Sequence, residues 1–115
     1  MRTAVHLSSP TVEGRERALR SVPNLVADGA PADEVRVVAH AGGVRALRAD
    51  AAGETERRRV AALREAGVGL AACRNTLDGS DAGPADLLAG VEVVPSGVGA
   101  LARRQAEGWG YLKLP

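Results

Sequence analysis

The chain contains a single cysteine, Cys73, at a position that favours nucleophilic chemistry. It follows the apolar run 68–72 and precedes the polar residues Arg74, Asn75 and Thr76. A cysteine between a strand and a helical turn lies near free backbone N–H groups, which favour the thiolate, and Arg74 would add positive potential. The thiolate is the nucleophilic form of cysteine. Cys73 is therefore the candidate reactive residue, with a small buried apolar residue as the alternative interpretation.

One of the two histidines could assist this cysteine. His40 follows the second apolar run of the chain, where it could lower the cysteine pKa as a cation or accept its proton. The alternative for His40 is hydrogen bonding to loop backbone. His6 lies within the first apolar run, and we expect it to be a half-buried or core residue. Neither a CxxC nor an HxxxH spacing occurs, so the sequence predicts no metal site.

Other polar residues are expected to bind or to shape the site. Asn75 and Thr76 can cap the turn that holds Cys73. Ser96 and Gly97 open a helix whose N–H groups could receive an anion. The glycines of this segment match neither a P-loop nor a dinucleotide-binding fingerprint. The predicted binding residues are thus Arg74, Asn75, Thr76, Ser96 and Gly97, while the run 57–59 of three arginines is expected to form a solvated helix face.

The elements that must position these residues alternate between strands and helices. Apolar runs predict strands at 3–7, 35–39, 68–72, 91–94 and 111–114. Ser9 is the candidate N-cap of the first helix and Pro10 its first residue, while Pro23 should kink or end that helix. Further helices are predicted at 44–49, 54–66, 84–88 and 98–107, with Ala66 facing inward and Gly67 as C-cap.

This alternation predicts one α/β domain over residues 1–115, with a mostly parallel five-stranded sheet and helices on both faces. Right-handed crossovers place the strand-to-helix loops along one edge of such a sheet, where ligand sites form. The loops at that edge carry residues 8–9, 40–43, 73–76 and 96–97. We therefore expect these four segments to converge.

Composition narrows the classes of function. The chain of 115 residues has a net charge of +1 and 2% aromatic residues, which argues against direct binding of nucleic acid. No apolar run approaches the ~20 residues of a membrane span, so no membrane association is expected. One cysteine cannot form an intrachain disulfide, and a reducing cytoplasm is the natural compartment. No cofactor is predicted.

Four segments resemble the DsrE/DsrF-like family. The cysteine motif is similar over 70–77, and the histidine segment over 38–40. The block from Asp86 through 93–98 and the ending 105–113 complete the resemblance, which spans essentially the whole chain. Two features depart from the family pattern: Ala41 begins an Ala-Gly-Gly sequence where relatives often have Gly-x-Gly, and Pro23 interrupts the first helix.

The resemblance implies a flavodoxin-like subunit that assembles as a homotrimer or homohexamer. It also implies a sulfur-relay role, in which Cys73 accepts sulfane sulfur from a donor protein and passes it to an acceptor as a persulfide. His40 matches a recurrent family histidine. Such a protein is a carrier rather than a turnover enzyme. Two alternatives stay open: a small-molecule or anion-binding module in which Cys73 only lines the pocket, and a purely structural oligomer.

Overall fold

Five short strands form one parallel sheet in the computed structural model, which describes residues 2–27 and 34–114. The strand order is β4-β3-β2-β1-β5, and every paired neighbour is parallel. The predicted α/β class with a parallel five-stranded sheet is confirmed, and each predicted strand lies within one residue of its observed bounds. These bounds are β1 Arg2–Leu7, β2 Glu34–Ala39, β3 Gly69–Cys73, β4 Val91–Val94 and β5 Gly110–Leu114.

Helices connect the strands. The α-helices are α1 Val12–Ser21, α2 Pro23–Ala27, α3 Glu54–Glu65, α4 Arg74–Asp78 and α5 Gly97–Ala106. Two 3₁₀ helices cover Ala41–Leu47 and Pro84–Asp86, where the sequence predicted short helices at 44–49 and 84–88. The first 3₁₀ helix begins earlier than predicted. Gly43 allows this early start, because a Cβ at this position would overlap the carbonyl of Leu7. The 3₁₀ turn therefore packs directly on the end of β1.

The predicted start of the first helix was wrong by two residues. Thr11, not Ser9, is the N-cap, and its side chain accepts a hydrogen bond from the N–H of Gly14 at 3.0 Å. Ser9 Oγ instead accepts the N–H of Thr11 at 3.3 Å. Ser9 and Thr11 both have hydroxyl groups that can cap a helix, and the local turn around Ser9 moves the start past Pro10.

Pro23 divides the first helical segment as the sequence predicted. α1 ends at Ser21, and α2 begins at Pro23 itself. A proline lacks the N–H that a continuing helix needs, whereas it is well suited to the first position of a new one.

At the predicted end of α3, Ala66 is exposed rather than inward, and Gly67 adopts a φ of 87° that terminates the helix.

The two faces of the sheet carry different cores. Helices α1 and α3 and the first 3₁₀ helix pack on the larger one, whose central residues include Val5, Val37 and Leu70. Helix α5 covers the other face, where Ala4, Val38, Leu101 and Trp109 form a smaller cluster. The predicted placement of helices on both faces is confirmed. Among the described residues, no helix is long and apolar enough to cross a membrane.

A buried ion pair joins α1 to α3 beneath the larger core. Arg15 Nε donates to Glu56 Oε2 at 2.9 Å, and their side chains are only 3% and 1% exposed. The second carboxylate oxygen of Glu56 accepts the N–H of Gly53 at 3.0 Å, and Arg15 also donates to the carbonyl of Ser9 at 3.4 Å. The pair thus fixes the loop after β1 and the start of α3 relative to each other.

Candidate functional site

Cys73 is the last residue of β3 and lies directly before α4, as the sequence predicted. It is buried, with 2% of its surface exposed. Its φ of −72° and ψ of 120° are extended, so the chain turns into α4 immediately after the thiol. This turn brings the first N–H groups of α4 close to Sγ.

Hydrogen bonds stabilise the thiolate of Cys73 against the effect of burial. Burial is the largest influence on the pKa of Cys73 and raises it. The N–H groups of Gly97, Thr76 and Asn75 and the hydroxyl of Thr76 lower the pKa. The donors together outweigh burial, so the pKa of Cys73 lies below the ordinary thiol value.

Gly97 separates Cys73 from His40. A Cβ added at Gly97 would lie 3.1 Å from His40 Cβ and 3.2 Å from Cys73 Cβ, which is tighter than ordinary packing. The start of α5 can therefore pass between the two side chains only because this residue is a glycine. The close approach also carries the N–H of Gly97 to the sulfur. The sequence predicted that Gly97 helps to bind an anion, and it did not indicate this role as a spacer.

Thr76 links the cysteine loop to the histidine loop. Its Oγ1 accepts the N–H of Ala41 at 2.9 Å, which leaves its hydroxyl proton free to donate to Cys73. Ala41 has a φ of +52°, an unusual conformation for a residue with a side chain. The strained turn directs the Ala41 N–H towards Thr76.

His40 begins a chain of hydrogen-bonding side chains that leads away from Cys73. His40 Nδ1 lies 3.2 Å from His6 Nε2, and His6 Nδ1 lies 2.9 Å from the hydroxyl of Tyr111. The backbone N–H of His40 donates to the carbonyl of Leu7 at 3.0 Å, which holds the loop on β1. His6 is half-buried, as expected from its position in the first strand.

Burial is the main cause that lowers the pKa of His6, and the charges of His40 and Lys113 lower it further. Lys113 is the registered partner of His6 on β5, and Tyr111 lies two residues earlier on the same strand. His6 and Tyr111 lie on the same face of the neighbouring strands β1 and β5. The sequence did not indicate this contact, because neither strand alone specifies the order of strands in the sheet.

The remaining predicted binding residues lie around this centre. Arg74 and Asn75 are exposed at the start of α4. Ser96 is the N-cap of α5, and its Oγ accepts the N–H of Gly99 at 3.0 Å. The four loops expected to converge are in contact: those of Cys73 and His40 meet at Gly97, and the Ser8–Ser9 loop packs against Gly42 and Gly43 of the His40 loop. Within residues 2–27 and 34–114, no three His, Cys, Asp or Glu side chains are grouped to hold a metal ion.

The fold and the site define a small α/β protein with a hydrogen-bonded cysteine at the carboxyl edge of a parallel sheet. The sequence model of the DsrE/DsrF-like family matches residues 8–114, and the chain belongs to this family. The comparison with curated proteins gives no match.

Two solved structures have the same fold. The protein of unknown function MTH1491 from Methanobacterium thermoautotrophicum is 39% identical, with a TM-score of 0.88 and 97% of each chain covered. The ychN protein from E. coli is 21% identical, with a TM-score of 0.77, over 98% of this chain and 97% of its own. The second likeness concerns the fold alone.

Proposed function

We propose that this protein is a sulfur carrier that holds sulfane sulfur as a persulfide on Cys73. One arrangement carries the proposal: Cys73 lies directly before α4, and Gly97 at the start of α5 packs against it, so that the starts of two helices lower the pKa of Cys73 despite burial. A buried cysteine that only fills space has no need of a lowered pKa. Membership of the DsrE/DsrF-like family supports a sulfur-relay role of this kind.

The proposed transfer is redox-neutral and needs no cofactor. The Cys73 thiolate attacks the outer sulfur of a donor persulfide, R–S–SH. A bond forms between Sγ and that outer sulfur, and the donor S–S bond breaks with its electron pair remaining on the donor, which leaves as R–S⁻. Unloading follows the same path, because an acceptor thiolate attacks the outer sulfur and Cys73 leaves as a thiolate. The N–H of Gly97 and the hydroxyl of Thr76 stabilise that thiolate at both stages.

His40 is the proposed proton donor and acceptor at this site. It lies across Gly97 from Cys73, and it is half-buried in the loop that follows β2. Arg74 and Asn75 are exposed beside the cysteine, where they would contact the donor or acceptor. Ser96 holds the first turn of α5 in place and thereby holds Gly97.

We infer that the carrier acts as a homotrimer or homohexamer in the cytoplasm, together with a sulfur donor or acceptor protein. Exposed apolar side chains on α5 and β5 support a contact surface: Val98 is 58% exposed and Leu112 40%. A sulfur carrier with one free thiol also requires a reducing compartment. Native mass spectrometry measures the assembly directly, and a monomer at micromolar concentration would contradict this inference.

The deciding experiment is sulfur loading of the native protein. Because Cys73 is the only cysteine, any thiol reagent reports on it alone. After exposure to glutathione persulfide, intact mass spectrometry should show a gain of one sulfur atom, lost on treatment with dithiothreitol. The Cys73→Ser variant should gain none. Equal sulfur uptake by Cys73→Ser, or a wild-type thiol that reacts only after unfolding, would overturn the proposal.

An anion-binding module is the second candidate, and the burial of Cys73 favours it. In this case the N–H groups at the start of α5 bind a small anion and Cys73 only lines the pocket. Thermal unfolding with and without sulfate separates the two candidates. Stabilisation that survives in Cys73→Ser, together with no sulfur loading of the wild type, would favour anion binding.

A further inference from the structure

A line of three titratable side chains connects the surface to the cysteine site. Tyr111 is 41% exposed on the edge strand β5, and its hydroxyl lies 2.9 Å from His6 Nδ1. His6 Nε2 lies 3.2 Å from His40 Nδ1. His40 and Cys73 flank the same glycine, Gly97. An open pocket of about 190 Å³ beside α5 exposes both His6 and Tyr111 to solvent.

The hydrogen bonds of this line use both nitrogens of His6. A neutral histidine has one N–H and one lone pair, so His6 must donate on one side and accept on the other. If Tyr111 donates to His6 Nδ1, then His6 Nε2–H donates to His40 Nδ1, and the proton of His40 is on Nε2. If the direction reverses, His40 donates from Nδ1, and its Nε2 is a free base. In the first direction, the Nε2 of His40 carries a proton and can act as an acid. In the second, it carries no proton and can act as a base.

We propose that Tyr111 and His6 form a proton relay that sets whether His40 presents an acid or a base towards Cys73. The inference rests on the proposed sulfur-carrier function, and it adds two positioning residues that act through His40. It also explains why a histidine in the first strand and a tyrosine in the last are brought together at this edge of the sheet.

The proton balance of the relay is complete. When His40 Nε2–H protonates the departing donor thiolate, the His6 Nε2 proton moves to His40 Nδ1. The Tyr111 hydroxyl proton moves to His6 Nδ1, and the Tyr111 oxygen takes a proton from water. One proton has then passed from solvent to the donor, and every ring ends neutral. Deprotonation of the Cys73 thiol by His40 runs the same steps in reverse.

The charges around His6 suit a relay of neutral rings. Tyr111 and Lys113 face it from β5, His40 faces it from the end of β2, and α5 contributes the uncharged Gln105 to the shared pocket. Burial, followed by the charges of His40 and Lys113, lowers the pKa of His6, so this ring stays neutral at neutral pH. A neutral His6 can pass a proton in either direction without becoming a trapped cation.

Variants at His6 and Tyr111 test the relay through the rate of sulfur transfer. General acid–base catalysis contributes roughly 10²–10⁴-fold, and we expect His6→Gln to slow sulfur transfer by roughly 10- to 100-fold. Tyr111→Phe should slow it by roughly 3- to 10-fold, because water can replace the hydroxyl at the exposed end. Arg58→Gln, at an exposed position of α3 on the other side of the sheet, is the control and should transfer at the wild-type rate.

A spectroscopic readout separates the relay from a structural role. Ring ¹⁵N chemical shifts report the protonated nitrogen of each histidine. Tyr111→Phe should change the shifts of His6 and also those of His40, which Tyr111 does not contact. Unchanged His40 shifts together with wild-type transfer rates would overturn the relay while sulfur loading of Cys73 remained intact. Failure of Cys73 to load at all would instead overturn the proposed function, so the two failures are distinguishable.

Discussion

The two faces of the sheet differ in the interactions that hold them together. The face under α1 and α3 is filled by aliphatic side chains, and its charged groups form one fully paired contact, Arg15 with Glu56. The face under α5 has four buried residues in its core and carries the line from Tyr111 through His6 to His40. Burial of apolar area stabilises the first face, whereas hydrogen bonds between polar side chains, each with a donor and an acceptor, organise the second.

This difference predicts how the faces respond to substitution. Substitutions in the first face at residues that do not contact Cys73, which is itself part of this core, should lower the free energy of unfolding and leave the chemistry of the folded fraction unchanged. Damage to the second should alter the reactivity of Cys73 at a smaller cost in stability. The following variants test that division, beginning with the largest expected effect.

Glu56→Ala should be the most destabilising of these changes. It removes the partner of a buried guanidinium and the acceptor of the Gly53 N–H. Breaking one side of a buried ion pair costs about 3–5 kcal/mol, which urea denaturation would measure. Glu54→Ala, which removes the exposed partner of Arg58, is the control and should cost less than about 1 kcal/mol. Equal effects of the two variants would contradict the structural role given to the buried pair.

Gly97→Ala should affect both stability and reactivity. The added methyl group would press on His40 and Cys73, and overpacking of this kind costs about 1–3 kcal/mol. The N–H of residue 97 would also move away from the sulfur, so alkylation of Cys73 should require a higher pH. Gly99→Ala is the matched control, because its Cβ meets only Ser96 at 3.4 Å, and it should be neutral or stabilising by up to about 1 kcal/mol. Similar alkylation profiles for both variants would refute the spacer role of Gly97.

The sequence predicted the strands well because their apolar runs are short and are separated by polar helical segments, glycine and proline. It also predicted that Cys73 ends a strand before a helical turn, which the structure confirms. Helix starts were less predictable: Ser9 and Thr11 are both good N-caps, and the turn in which Ser9 Oγ accepts the N–H of Thr11 distinguishes them in the structure.

Side-chain contacts between strands distant in the chain could not be predicted in the same way. Tyr111 contacts His6 because β5 adds beside β1, and nothing local to either strand specifies that neighbour. The pair of Arg15 and Glu56 was missed for a similar reason, since 41 residues separate them and each has a sequence context typical of an exposed helix. Both contacts depend on topology rather than on propensity.

Thr76→Val should raise the pKa of Cys73 at a moderate cost in stability. It removes one donor to the sulfur and the acceptor of the Ala41 N–H. Loss of such a hydrogen bond costs about 1–2 kcal/mol, and the pH midpoint of iodoacetamide alkylation should move upward. Thr76→Ser retains the hydroxyl and should restore the wild-type midpoint. A rise in both variants would mean that the methyl group, not the hydroxyl, controls the thiol.

The smallest expected effect is on the pH dependence of stability, which should differ between the two faces of the sheet. The pKa of His6 is lower in the folded chain than its unfolded value of ~6.5, so the unfolded state binds more protons below that pH. The stability that comes from neutral His6 is fully present above pH ~6.5 and is lost as the pH falls through the folded pKa. The difference in unfolding free energy between wild type and His6→Gln should therefore decrease as the pH falls below ~6.5. Lys113→Met removes a charge that lowers this pKa, and it should make the decrease smaller. Parallel stability curves for wild type and His6→Gln across this range would show that the α5 face is as insensitive to protons as the aliphatic one.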